Sequence, residues 1–155
     1  MKKITPQRLK NIALFYLERY DASSEKLQEV LKRRLAKAAS EQEVPPESVQ
    51  WVEEVVQQMK SLGYVNDKRY AENVVRRYSD AGKSYSFVRS KLKMAGIDEE
   101  MIKDVLSEMD ELEQARLMVK KKRLGMDFKK DLARLARAGF SYEIAREALE
   151  EVSFF

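Results

Sequence analysis

SYSFVRSKLKMAGIDEEMIKDVL (residues 84–106) and DFKKDLARLARAGFSYEIAREAL (residues 127–149) align without a gap at an offset of 43 residues. Leu92, Gly96, Ile97, Met101, Val105 and Leu106 of the first fall on Leu135, Gly139, Phe140, Ile144, Ala148 and Leu149 of the second. A fixed period that keeps apolar and glycine positions marks a tandem supersecondary unit. Each copy reads as helix, tight turn, helix. Ser84 and Asp127 carry side-chain oxygens that can accept from the orphan N–H groups of a first helical turn, and Gly96 and Gly139 tolerate the positive φ that ends a helix. Asp98 and Ser141 then restart it.

Upstream of each copy lies a further apolar run: Tyr70, Ala71, Val74, Val75 and Tyr78 before the first, and Leu112, Ala115 and Val119 before the second. Spacings of three and four place these residues on one helical face, so the unit is three helices. The N-terminal region supplies a third, stretched copy. Thr5 and Pro6 open a helix with an inner stripe of Ala13, Leu14 and Leu17, and Ser23 opens a second through Leu27, Leu31 and Leu35. A long loop over residues 38–46 replaces the glycine turn, and Pro45 and Pro46 set the start of a third run through Val52, Val55, Val56, Met59 and Leu62. No strand is expected, since Val and Ile recur at helical spacing and no Asn-Gly hairpin turn is present. The predicted fold class is all-α: three tandem three-helix, helix-turn-helix-like repeats over residues 1–62, 63–109 and 110–155, forming an elongated, curved body.

With 44% hydrophobic and 36% charged residues in 155, the chain can bury a core, and its charge suits stacked units that expose more surface than a globule. Cys and His are absent, which removes disulfides, thiol nucleophiles, zinc-thiolate sites and the familiar His-containing catalytic sites. No Gly-x4-Gly-Lys-Ser/Thr loop is present to cradle a nucleotide. The adjacent carboxylates Glu53–Glu54, Glu99–Glu100 and Glu150–Glu151 point about 100° apart on a helix and do not form acid–base pairs on one face. No catalytic residue, metal site or cofactor is expected. Met1-Lys2-Lys3-Ile4 leads straight into polar residues, without an apolar run fit for a signal peptide or a membrane span, so the expected setting is the cytoplasm.

Charge is sorted by helix. Lys68 to Lys93 carries eight basic and two acidic residues, Asp98 to Glu113 one basic and eight acidic, and Arg116 to Arg137 nine basic and two acidic. From Ser141 onward four acids face Arg146, and Glu41 to Glu54 carries acids only, so the last helix of every copy is the acidic one. Such sorting can simply place salt bridges and keep helices solvated. It can also line up a basic surface for a polyanion or an acidic groove: Arg69, Arg76 and Arg77 lie opposite Tyr70, Val74 and Tyr78, Lys130, Arg134 and Arg137 recur at helical spacing, and Arg89 and Lys93 are an i,i+4 pair.

Gly63-Tyr64-Val65-Asn66-Asp67-Lys68-Arg69-Tyr70-Ala71, after the run ending at Leu62, resembles the signature of the RecX regulatory proteins, in which a Gly-aromatic-aliphatic turn and Asp-x-Arg-aromatic-Ala open the central unit. The match continues through Arg76, Arg77, Gly82-Lys83-Ser84, Val88, Arg89, Leu92 and Lys93-Met94-Ala95-Gly96-Ile97, and Ala13-Leu14 with Leu17 resembles the opening helix of that family. The chain departs from the pattern at residues 36–46, which lack the glycine turn and carry Glu41 and Glu43. The resemblance implies three tandem three-helix units without enzymatic activity. It implies binding to RecA recombinase and its filament on single-stranded DNA, lying along the filament groove and suppressing ATP hydrolysis, strand exchange and co-protease activity. No membrane partner is implied, and a monomer is expected.

The expected contact residues for the RecA filament or DNA are Arg69, Arg76, Arg77, Lys83, Arg89, Lys93, Lys130 and Arg134. Gly63, Tyr64, Asp67, Tyr70, Ala71 and Gly96 match the signature but are expected to be mainly structural, with Tyr70 and Ala71 in the core and Asp67 as the N-terminal cap of its helix, paired with Arg69. Trp51 is expected to pack, and Lys120 to Arg123 to span more than one helix face. The terminal Phe154-Phe155 either docks on the last unit or frays. A sequence-independent single- or double-stranded DNA-binding protein without a RecA partner is the alternative, and a plain helical adaptor a third. Against base reading, Asp98-Glu99-Glu100 occupies the start of what would be the recognition helix.

Overall fold

The computed structural model describes residues 2–152, and the terminal Phe154-Phe155 lies outside them. The chain is all-α: the described residues hold nine helices and no strand. They are α1 (Pro6–Arg19), α2 (Ser24–Glu41), α3 (Ser48–Ser61), α4 (Asp67–Asp80), α5 (Tyr85–Met94), α6 (Glu99–Leu106), α7 (Glu111–Lys121), α8 (Phe128–Arg137) and α9 (Tyr142–Glu150). The 43-residue offset carries both ends of α5 onto those of α8, and the start of α6 onto the start of α9. Among the described residues no helix is long and apolar enough to cross a membrane.

Local chemistry sets most of these starts. Thr5, Ser23, Asp98, Asp110, Asp127 and Ser141 each accept, through a side-chain oxygen, from the backbone N–H three residues on, and Ser84 does the same for Phe87. The expected turn glycines are at positive φ, +77° at Gly96 and +103° at Gly139, where a side chain would be strained.

Two compact units emerge. One runs to Tyr70 and takes in Ala95–Ile97; the other holds Ala71–Met94 and continues from Asp98. In the first, α1, α2 and α3 pack around Leu9, Ala13, Leu27, Leu31, Leu35, Val52, Val55, Val56 and Met59, with Ile4 and Val65 in the same cluster. The α1 stripe centres on Leu9 and Ala13, and the expected Leu14 and Leu17 sit beside it, partly buried. Trp51 packs against the same cluster, as expected. In the second unit α9 packs on α7 and α8 over Ala115, Val119, Leu135, Phe140, Ala145, Ala148 and Leu149, and α5 packs on α6.

Two expectations are corrected in the first unit. The loop placed at residues 38–46 is shorter, because α2 runs to Glu41: Ala38 is buried, and Gln42 N–H donates to its carbonyl oxygen, so alanines favourable to a helix continue the run. Leu62, placed in the α3 stripe, is 57% exposed. The helix has already ended there: Gly63 takes φ +81°, and the N–H groups of Tyr64 and Val65 both turn back to the Met59 carbonyl.

Candidate partner-binding surface

The signature residues build a structural clasp. Ser23, the cap of α2, donates its hydroxyl to Ala95 O at 2.6 Å. Beside it the N–H and hydroxyl of Ser24 donate to the two carboxylate oxygens of Asp67, each at 2.7 Å. Asp67 is therefore not the cap of α4. Asn66 takes that place, accepting from Arg69 N–H at 3.0 Å, because Asp67 is the first residue of the helix and its side chain reaches back to the start of α2. No ion pair joins Asp67 to Arg69, whose guanidinium approaches Gly63 O at 3.4 Å instead.

The second unit repeats the clasp. Ser84, the cap of α5, donates its hydroxyl to Ala138 O at 2.8 Å, and Tyr85 N–H donates to Glu111 Oε1 at 3.3 Å. Ala95 and Ala138 each precede a turn glycine, and Asp67 and Glu111 are each the first residue of a helix. Burial pushes the Glu111 carboxyl above its ordinary value, against the lowering effect of the Tyr85 N–H. The glycines are needed for close approach as well as for φ. A Cβ at Gly96 would run into the Glu25 side chain, down to its Cβ at 2.6 Å, and one at Gly139 would lie 2.6 Å from Ser84 Oγ.

Of the other signature residues, Tyr70 and Ala71 are buried, as expected. Tyr64 is 54% exposed, so its ring is free of the core. Among the basic candidates, Arg69, Arg76, Arg77, Lys83, Lys93, Lys130 and Arg134 are exposed and Arg89 is half-buried. Their engagement differs. Arg76 reaches Asn73 Oδ1 at 3.4 Å, and the Arg77 guanidinium lies 5.0 Å from the centre of the Tyr78 ring, so each keeps its charge at the surface without an acidic partner among the described residues. Lys130 and Arg134 likewise enter no ion pair there.

Arg89 and Lys93 converge on Glu99, at 2.8 and 3.1 Å. The hydrogen bond from Lys93, with the positive charge of Arg89, holds the Glu99 carboxyl below its ordinary value. Any partner that engages this pair must displace or include that carboxylate. A second ion pair, Arg116 with Glu151 at 2.8 Å, ties α7 to the end of α9, raising the Arg116 pKa and lowering that of Glu151.

Three features escape a linear reading. Ser24 pairs with Asp67 and Tyr85 with Glu111 across gaps no local motif signals, although the Ser-Ser and Ser-Tyr starts of α2 and α5 are visible once the repeats are aligned. Asp131 is buried and accepts from Gly125 N–H at 2.7 Å, fixing the loop before α8. Lys121 and Lys122 of the basic tetrad join Lys83 and Arg137 around one hollow. The tetrad does split, since the α7 helix ends at Lys121 and Arg123 has φ +54°.

Residues 66–106, nearly coincident with α4 to α6, match the family model described as RecX, second three-helix domain. The chain is 34% identical over 164 residues to the regulatory protein RecX of Myxococcus xanthus, covering 96% of this chain and 88% of that one. It is 29% identical to the regulatory protein RecX of Acinetobacter baylyi over 97% of this chain and 91% of the relative, and 27% identical to that of Bacillus licheniformis, of which it spans 54%. In three dimensions it resembles the crystal structure of RecX from Lactobacillus salivarius, with a TM-score of 0.77, 22% identity and 97% of each chain covered. A relative 34% identical and matched over 88% of its length, together with a matching all-α fold, leads to one assignment: the chain belongs to the RecX family of regulatory proteins.

Proposed function

We propose that this protein regulates RecA, binding the recombinase filament on single-stranded DNA and inhibiting its ATP hydrolysis, strand exchange and co-protease activity by occupying the filament groove. The observation that carries this is the family membership along almost the whole chain, with relatives named as regulatory proteins. The exposed cations on α4, α5 and α8 support binding to an acidic surface, and the absence of Cys and His is consistent with a role exerted by occupation rather than by chemistry. The protein acts in the cytoplasm, as a monomer of three three-helix repeats over residues 1–62, 63–109 and 110–155 that meet successive parts of a periodic partner.

Arg76, Arg77, Lys83, Lys130 and Arg134 are the proposed contacts. Arg69 is a further contact, and Arg89 and Lys93 contribute once Glu99 is released. Arg76→Glu combined with Arg77→Glu should weaken binding to the RecA filament at least tenfold, more at low salt than at high, with unchanged helical circular dichroism. Unchanged affinity would remove α4 from the interface. Equal loss of affinity for bare DNA and for the filament would favour the sequence-independent DNA-binding alternative.

A further inference from the structure

We propose that the hollow formed by the turn before α5 together with α7 and α8 docks an acidic peptide carrying one apolar anchor side chain. Its volume is about 330 Å³, and all its lining residues lie in the second compact unit. That is near the lower end of the range for ligand pockets, about 300–1,000 Å³, and suits one side chain with its flanking backbone.

The lining is divided by chemistry. Phe87, Met118 and Phe140 supply apolar surface, while Lys83, Lys121, Lys122 and Arg137 supply four cations, and no acidic residue among the described residues lines the hollow. None of the four cations enters an ion pair among the described residues. An inorganic anion would use the rim and leave the apolar surface wet, whereas a purely apolar ligand would bring unpaired cations toward low dielectric. A peptide with carboxylates on either side of an apolar side chain satisfies both parts. Met118 suits an anchor of adaptable shape, because its unbranched thioether repacks readily.

A single-stranded nucleic acid also joins anionic charge to apolar faces, but it needs aromatic faces on which to stack its bases. Here those faces are committed. The Phe87 ring carries the Lys83 and Lys91 ammonium groups at 5.1 and 5.4 Å from its centre and meets Tyr78 edge-on at 5.2 Å, and Phe140 is buried. Lys83, which lines the hollow, and Lys91, which does not, both stand over the Phe87 ring, so that ring offers a base no free platform. The docking site stands whether or not the larger partner is a RecA filament, since it rests only on this hollow.

The test is fluorescence polarisation with the full chain and a fluorescein-labelled peptide, Glu-Asp-Phe-Asp-Glu, beside the same peptide with Ala for Phe and a labelled oligothymidylate. Saturable binding of the Phe peptide is expected, at least tenfold weaker with Ala in its place. Lys121→Glu with Arg137→Glu should weaken it at least tenfold, while Lys32→Glu with Lys37→Glu, an equal change of charge in the first unit, leaves it within twofold. If the charge reversal disturbs the helical circular dichroism, Lys83→Gln with Lys121→Gln replaces it, with at least a threefold loss expected. Equal binding of both peptides, or equal loss in the Lys32 and Lys37 control, would reduce the site to general charge attraction and overturn the proposal. So would oligothymidylate binding that depends on Lys121 and Arg137 in the absence of peptide binding.

Discussion

Asp67→Ala separates stability from binding at a residue where the two are easily confused, because Asp67 stands in the family signature. Its carboxylate accepts two hydrogen bonds from Ser24, both at 2.7 Å, at the start of α2, where backbone N–H groups have no partner within the helix. Hydrogen bonds to an ionised acceptor contribute about 1.5–3 kcal/mol each when buried; the partial exposure of Asp67 lowers the expected total for the pair to about 2–3 kcal/mol. For a chain of this size each kcal/mol moves the melting temperature by roughly 2–4 °C, so Asp67→Ala should lower it by about 4–12 °C. Ser24→Ala removes only the hydroxyl arm, about 1 kcal/mol, and should add little in the Asp67→Ala background, giving a coupling of about 1 kcal/mol. Urea unfolding followed by circular dichroism measures all four corners of this cycle. Filament binding, measured on the folded variant well below its transition, should stay within twofold of the unmodified protein. Unchanged stability with lost binding would refute the clasp and make Asp67 a contact residue.

Gly63→Ala and Gly96→Ala should part company despite similar backbone angles. Both residues sit at positive φ, +81° and +77°, which costs an alanine about 1–2 kcal/mol, but a Cβ at Gly63 meets nothing within 4 Å whereas one at Gly96 collides with Glu25. Urea unfolding should therefore find Gly96→Ala less stable than Gly63→Ala by at least about 1 kcal/mol. The carboxylates make opposite predictions for pH. Glu99 and Glu151 titrate below the ordinary 4.5 because Lys93 with Arg89, and Arg116, hold them ionised, so their contribution is present above that value and is lost as pH falls through the lower folded value. Glu111 titrates above 4.5 because of burial, so its contribution is greatest at lower pH and is lost as pH rises through the folded value. Glu111→Gln should consequently gain on the unmodified protein as pH rises from 4.5 toward neutrality, in urea midpoints taken across that range. A variant that loses stability relative to the unmodified protein as pH rises would reverse the assigned shift.

The helices were legible because their signals are local and repeated. The 43-residue offset, the caps at Ser84, Asp98, Asp127 and Ser141, and the positive-φ glycines all act within a few residues, and each performs the expected role. The boundary of α2 shows the converse: Ala38 to Glu41 carries no breaker and no glycine turn, so no local signal marks where the helix ends at Glu41. Asp67 was misassigned because an acid near a helix start suggests a cap, while its partner Ser24 lies 43 residues away. The basic residues were legible as a set but not in their roles. Sequence spacing makes Arg89 and Lys93 a free cationic pair, whereas Glu99 on the next helix already satisfies both. Lys121, Lys122 and Arg137 gain their significance from the folding of α7 and α8 around one hollow with Lys83, which no helical periodicity encodes.

The central claim is regulation of RecA, and the most direct test is the rate of ATP hydrolysis by RecA on single-stranded DNA as this protein is added, at two salt concentrations, beside its affinity for the same DNA without RecA. Suppression at substoichiometric protein, without matching affinity for bare DNA, is the predicted result. An unchanged hydrolysis rate alongside salt-sensitive binding to DNA alone would contradict it.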